Sequence, residues 1–334
     1  MQALDLQKLK SALPVDTVKG EQSIVLPRKL DLQIVTKTKV CLVCVLMFLN
    51  VATAATASSA APKHTTTVVL ASEFAKALFS LLFVANEEPQ GVPLQTKVAE
   101  SMARKNLGGL FVVATLYVVV NNCFMLALRY INIDTYQVLF SLRIPVTAAL
   151  MHLFLGRKFT ARQQIAGVLL FCGGILSQAD LQKLSWAKTP PLGLFYVAVM
   201  VVSSSVAGVL NESILKNDEC GSLHAKNFQL YAYGFFLNLA CTIYEHGGVV
   251  SPAGAVFFDG VTISTCFLIC LLAAQGLVTS AVIKYTDNMI KAAASVGSIG
   301  ASAALAYFVF KSTVSFESLC SAILTSASLA LYLL

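Results

Sequence analysis

Residues 189–211 read Thr189-Pro-Pro-Leu-Gly-Leu-Phe-Tyr-Val-Ala-Val-Met-Val-Val-Ser-Ser-Ser-Val-Ala-Gly-Val-Leu-Asn211, without a single charge. A helix of about 20 predominantly apolar residues spans the ~30 Å hydrocarbon core of a bilayer. Inside that core every backbone polar group must be satisfied internally, which a helix does alone. The stretch therefore reads as a transmembrane helix. Residues 107–128 and 260–283 are uncharged in the same way. Working outward, ten such runs are expected: 36–58, 66–86, 107–129, 133–155, 161–179, 191–215, 225–246, 258–282, 287–310 and 315–334. Barrel strands are excluded, because these runs do not alternate apolar and polar residues at ~10-residue length. Composition agrees: of 334 residues 57% are hydrophobic and 12% charged, against about 25% charged in soluble domains.

The net charge of +7 reads as orientation in the membrane, not as affinity for nucleic acid. With ten spans both termini share a side. Seventeen Lys and Arg fall on that side, including Lys8, Arg28, Arg157, Lys216, Lys284 and Lys291, and five on the other (Lys63, Arg129, Lys183, Lys188 and Lys311). The positive-inside rule then makes both termini cytoplasmic. The first 39 residues are polar and basic, and the apolar run from Val40 to Pro62 reads as a retained first span, too long for a signal peptide. The turn Leu155-Gly-Arg-Lys-Phe-Thr-Ala-Arg resembles Phe310-Lys-Ser-Thr-Val-Ser-Phe-Glu, with Thr160 and Ser315 as candidate N-caps. Five spans per half is odd, so the second half enters from the opposite face. The expected fold is an all-α membrane protein of ten transmembrane helices in two inverted five-helix repeats, the architecture of many secondary transporters. The expected division is a cytoplasmic tail (1–35), a first half (36–190) and a second half (191–334).

Ionisable groups inside spans are functional candidates by default. Glu73 and Lys76 sit mid-span, three apart on one helix face, and a structural ion pair between them is an equal reading. Arg143 lies near the middle of span 4, and Lys284 at the end of span 8, where it can also snorkel to the interface. Asn121 and Asn122 interrupt span 3 one turn after Tyr117. Tyr136 is seven residues before Arg143, and Asn227 and Tyr231 are four apart. Tyrosines, amides and fixed cations suit a ligand with a ring, hydroxyls and phosphates. Singly, each also suits interhelical hydrogen bonding. No P-loop, HExxH or GxSxG motif is present. His64, His152, His224 and His246 are dispersed, and the Cys41/Cys44 pair lacks further ligands. Neither an enzyme, a metal site nor a cofactor is expected.

The chain resembles the nucleotide-sugar transporters of the Golgi and endoplasmic reticulum, within the drug/metabolite transporter superfamily. The branch is the one carrying CMP-sialic acid, UDP-galactose and UDP-N-acetylglucosamine. Thr279-Ser-Ala-Val-Ile-Lys-Tyr-Thr-Asp-Asn288 is similar to its TS-x-x-x-KYTDN signature. Asn121-Asn122, Tyr136-Gln-Val, Ile144-Pro145, Gly208 through Asn211-Glu-Ser-Ile-Leu-Lys216, Asn227-Phe-Gln-Leu-Tyr231 and Glu73-x-x-Lys76 match as well. The resemblance implies antiport of a cytosolic pyrimidine nucleotide sugar, most simply UDP-galactose or UDP-N-acetylglucosamine, for luminal UMP. CMP-sialic acid with CMP is the alternative, and another solute in the same fold a further one. It puts Lys284 at the phosphates with Tyr117, Thr279 and Ser280 nearby, and Asn121, Asn122, Tyr136, Asn227 and Tyr231 around the nucleoside. Arg143 stands where the branch usually has Lys, and Phe140 where it often has Tyr. The expected partners are the nucleotide sugar, the nucleoside monophosphate and membrane lipid, with a homo-oligomer left open. The implied location is the Golgi membrane, or the endoplasmic reticulum.

Overall fold

The computed structural model describes residues 29–60, 65–86, 93, 96, 107–127, 129–131, 133–178, 190–217, 222–245, 262–310 and 316–333. Among these residues there are eleven α-helices and no strand: α1 (Lys29–Ala60), α2 (Thr65–Asn86), α3 (Leu107–Ala127), α4 (Ile133–Phe140), α5 (Arg143–Leu155), α6 (Ala161–Gln178), α7 (Pro191–Asn217), α8 (Leu223–Glu245), α9 (Ile263–Tyr285), α10 (Asn288–Phe310) and α11 (Phe316–Leu333). One compact unit ends at Thr38, and of it the described part is the helical opening of α1. The other runs from Lys39 to Leu334.

Helices occupy all ten stretches expected from hydropathy. Four described segments have the length and hydropathy of a membrane span: Thr67–Asn86, Val138–Leu155, Pro191–Lys216 and Ile263–Tyr285. The apolar stretches Gly108–Phe124, Ala161–Leu176 and Leu319–Tyr332 are shorter. Large apolar side chains point outward, among them Phe48, Phe74, Leu153, Phe154, Phe195, Ile263 and Phe267. Ser205, Asn211, Glu212, Asn227 and Asp287 are buried. That distribution suits a body solvated by lipid.

Helix α7 is the central element. Half of its apolar window is buried, against 28% in each of the other three spans. Its residues enter four core clusters: Val209 with Ile144, Met151, Leu170 and Met289; Ala207 with Leu110, Val113 and Tyr231; Val197 and Met200 with Ala127 and Tyr136; Leu215 with Leu223 and Ile283. One side of the helix meets protein and the other presents Phe195 and Val202 outward, so neither side carries charge in a lipid-solvated body, in keeping with the uncharged 189–211.

The fourth expected span is a pair of helices, not one. Pro145 has no N–H to give the Ser141 carbonyl, and its ring crowds that carbonyl. The chain takes a tighter turn there, with Ser141 N–H on Val138 O (3.2 Å) and Ile144 N–H on Ser141 O (3.0 Å). Helix α5 ends at Gly156, whose φ of 59° is left-handed, the conformation that glycine reaches without cost. Thr160 then caps α6 as expected. Its hydroxyl accepts from Gln163 N–H (3.3 Å), while the Gln163 side chain accepts from Thr160 N–H (3.2 Å). Ser315, the matching N-cap expected in the second half, lies outside the described residues.

Candidate functional site

A cavity of about 340 Å³ opens between α2, α3, α7, α8, α9 and α10. Its walls are helical stripes at i, i+3, i+4 and i+7. Helix α2 presents Val69, Ser72, Glu73 and Lys76, and α3 presents Ala114, Tyr117, Val118 and Asn121. From α9 come Leu272, Gln275, Gly276, Thr279 and Ser280, and from α8 Leu230, Tyr231, Gly234 and Asn238. Of the residues singled out in the sequence, Glu73, Lys76, Tyr117, Asn121, Tyr231, Thr279 and Ser280 meet here.

Glu73 and Lys76 form the ion pair that their spacing allows, at 2.7 Å. The ammonium also lies over the Tyr231 ring, 5.3 Å from its centroid, and the Tyr231 hydroxyl is 3.2 Å from Ser280 Oγ. Two glycines make room for this group. A Cβ at Gly276 would stand 2.9 Å from Lys76 Cδ and 3.3 Å from the Tyr231 hydroxyl. One at Gly234 would stand 3.0 Å from Glu73 Oε2. The cavity wall at this point is thus one assembly of α2, α8 and α9.

Five expected residues do not line the cavity. Asn122 lies a helical step away from Asn121 and donates to Val118 O (2.9 Å) and towards Cys241 Sγ (3.9 Å). Asn227 is buried one turn before Tyr231, and its Nδ2 has no hydrogen-bond partner among the described residues. Tyr136 and Arg143 belong to a ladder at the α4–α5 break. The Tyr136 ring stacks on Phe140 (5.5 Å, 17°), and the Arg143 guanidinium lies 4.8 Å from the Phe140 centroid. Lys284 is one turn beyond Ser280 and stands 5.9 Å from the ring of Tyr285.

The cavity also holds residues that the sequence reading missed. Lys291 was counted as a loop cation. It is helical, and it lines the cavity one turn inside α10. Asp287 Oδ1 accepts the Ile290 N–H at 2.9 Å, an N-cap contact that starts the helix early enough to carry Lys291 inward. Among the described residues Lys291 has no carboxylate partner. Asn211, Asn238 and Gln275 complete the polar lining, and Gln275 donates to Asn50 of α1.

Beyond the Lys291 end of the cavity lies a second, different cluster of charge. Arg157, just after the Gly156 turn, reaches Asp287 Oδ2 at 2.8 Å and the Tyr332 hydroxyl at 3.0 Å. It is 3.8 Å from Glu212, which pairs with Lys216 at 2.6 Å. Lys216 also donates to Thr286 O (2.6 Å), and Glu212 accepts the Asn288 N–H (3.0 Å). Burial opposes the Arg157 charge, but Asp287, Tyr332 and Glu212 outweigh it and hold the guanidinium above its ordinary pKa. The α5–α6 turn is in this way tied to α7, to the α9–α10 turn and to α11.

The profile of the nucleotide-sugar transporter family matches residues 30–333. The chain belongs to this family. It is similar to CMP-sialic acid transporter 1 of Arabidopsis thaliana, at 33% identity over 54% of this chain and 56% of that one, a little over half the relative's length. It is also similar to CMP-sialic acid transporter 1 of Oryza sativa subsp. indica (31%; 67% and 70%) and to the UDP-N-acetylglucosamine transporter of Mus musculus (32%; 72% and 76%). One solved crystal structure superposes with a TM-score of 0.62 over 88% of this chain and 96% of its own, at 14% identity, a likeness of fold.

Proposed function

We propose that this transporter is an antiporter, exchanging a cytosolic UDP-sugar (UDP-galactose or UDP-N-acetylglucosamine) for luminal UMP by alternating access. The observation that carries the reading is the charge of the cavity. Glu73 is neutralised by Lys76 at 2.7 Å, which leaves Lys291 as an uncompensated cation in the wall. Such a site suits phosphates and repels cationic drugs. The tyrosines offer rings against which a base or sugar packs, and Asn121, Thr279 and Ser280 offer hydroxyl and amide partners. Lys284 had the phosphate role by resemblance. The cavity lining favours Lys291. Asn122, Tyr136, Asn227 and Arg143 then stand as a surrounding shell, with Arg143 adding positive potential.

Helix packing supports the ten-span inverted repeat. Spans 2 and 7 pack together as α2 and α8, and spans 5 and 10 as α6 and α11. The contacts α3–α8 and α2–α9 are counterparts under exchange of the halves, as are α5–α6 and α10–α11. A fixed site between halves that rock is the expected mechanism of such a repeat. The Arg157–Asp287–Glu212–Lys216 cluster joins the halves at the end rich in Lys and Arg. In this reading it is the closed cytoplasmic gate of a Golgi membrane protein.

The test is exchange in proteoliposomes preloaded with UMP, CMP, GMP or AMP and offered labelled UDP-galactose, UDP-N-acetylglucosamine or CMP-sialic acid. Uptake of a UDP-sugar driven by internal UMP is expected. Uptake of CMP-sialic acid driven by CMP is the second reading, which the plant relatives' names favour. No exchange with any nucleotide would overturn both.

A further inference from the structure

One polar atom of the cavity lining has no hydrogen-bond partner among the described residues. Asn211 lines the cavity and is 3% exposed, and this atom is its buried Oδ1. A buried acceptor left unpaired costs about 1–3 kcal/mol, and such atoms in a folded protein call for a cause. The surroundings hold this one rigidly. Gly208, one turn earlier, packs against the Asn288 side chain. Glu212, the next residue, is fixed by Lys216 and the Asn288 N–H. Tyr117 of α3, a helix packed against α7, lines the same cavity. The oxygen is therefore preorganised, one residue from the ion cluster and at the level of Lys291.

We propose that Asn211 Oδ1 is a specificity contact, an acceptor that reads a neutral N–H or O–H of the bound nucleotide. The proposal rests on the nucleotide reading above. Lys291 supplies charge and so holds any phosphate alike. A fixed neutral acceptor discriminates, because a ligand without the matching donor leaves it unpaired. Oδ1 is covered in this conformation, and in the exchange proposed above the rocking of the halves uncovers it to the ligand. Two parts of a nucleotide carry such a donor: the base edge, through an imide N–H or an exocyclic amine, and the ribose hydroxyls.

The experiment is equilibrium binding to the purified full chain in lipid nanodiscs, for the wild type, Asn211→Leu and Asn211→Asp. The probes are whichever of UMP and CMP binds tighter, its 2′-deoxy and 3′-deoxy forms, and its form methylated so that no base N–H remains (N3-methyl-UMP or N4,N4-dimethyl-CMP). The wild type should discriminate against one analogue by about 10- to 100-fold. Loss with the deoxy forms assigns the donor to the ribose, and loss with the methylated form to the base. Asn211→Leu, similar in volume, should bring that ratio to within about threefold, whereas Asn211→Asp, which keeps an acceptor, should retain it. A ratio between two ligands is insensitive to a uniform loss of folded protein, so instability of a variant cannot imitate the result. Undiminished discrimination in Asn211→Leu, or none in the wild type, would overturn the proposal and leave the nucleotide reading standing. A wild type that binds no nucleotide would overturn that reading, and this proposal with it.

Discussion

Two clusters of charge, one in the cavity (Glu73 and Lys76 of α2, Lys291 of α10) and one at Arg157, Glu212, Lys216 and Asp287, differ in one respect. In the ion cluster each charged member has partners: Arg157 with Asp287 and Tyr332, Lys216 with Glu212 and Thr286 O. In the cavity Lys76 is paired, but among the described residues Lys291 has no carboxylate partner and Asn211 Oδ1 no hydrogen-bond partner. Compensated charge holds elements together. Uncompensated charge in a cavity is a cost that an anionic ligand relieves. Two lysines mark the contrast: Lys216 is tied to a carboxylate and a carbonyl, whereas Lys291 lines the cavity and is the phosphate partner in the proposed function.

The comparison breaks most completely at Lys291. Lys291→Ala should lower nucleotide-sugar exchange by about 100-fold, since charge-assisted contacts to phosphate are the strong ones. Lys284→Ala, outside the cavity lining, should cost far less in the same proteoliposome assay. Equal losses would return the phosphate role to Lys284.

Next in size is the ion cluster. Asp287→Asn removes the partner of Arg157 while the guanidinium stays part-buried. Breaking a buried pair costs about 3–5 kcal/mol, and the 26% exposure of the Arg157 side chain brings this to about 1–3 kcal/mol. A cysteine placed at Thr279 should then react faster with a reagent added from the cluster's side. Unchanged labelling would mean that the cluster does not close that end.

A smaller effect sharpens the reading of the Glu73–Lys76 pair. Lys76→Met leaves an uncompensated carboxylate in a cavity for anions, and nucleotide affinity should fall about tenfold. The double variant Glu73→Gln/Lys76→Met should recover to within about threefold, by the logic of a double-mutant cycle. If the double variant binds no better than Lys76→Met, Lys76 touches the ligand itself. The least effect is expected of Gly276→Ala. Its Cβ would meet the flexible Lys76 stem at 2.9 Å, which can give way, so affinity should drop only about two- to fivefold.

Much of this was legible in the sequence because hydropathy and helical period are local. The uncharged 189–211 marked α7, and Glu73-x-x-Lys76 gave a pair that the structure shows at 2.7 Å. Tyr117, Asn121, Tyr231, Thr279 and Ser280 fall on the cavity stripes. Lys291 was missed because a lysine near the expected start of a span reads as an interfacial cation. The available signal was Asp287, a good N-cap residue that starts the helix before Lys291. Asn211 appeared only within a longer motif, and nothing local tells an amide in a cavity wall from one that bonds a neighbouring helix. The ion cluster was beyond reach. Arg157, Glu212 and Asp287 are brought together by tertiary packing, and each alone reads as a loop or helix-end charge. The break at Phe140–Arg143 was available from Pro145, but a proline near mid-span also fits a kinked single helix.

The central claim is that Lys291 is the cation that a nucleotide's phosphate meets. The most direct measurement is the affinity of a nucleoside monophosphate relative to its nucleoside, UMP against uridine and CMP against cytidine, for the wild type and for Lys291→Met. The wild type should favour the phosphorylated form by about 100-fold, and the variant should bind the two forms within about threefold of each other. A wild-type ratio that persists in Lys291→Met would contradict the account.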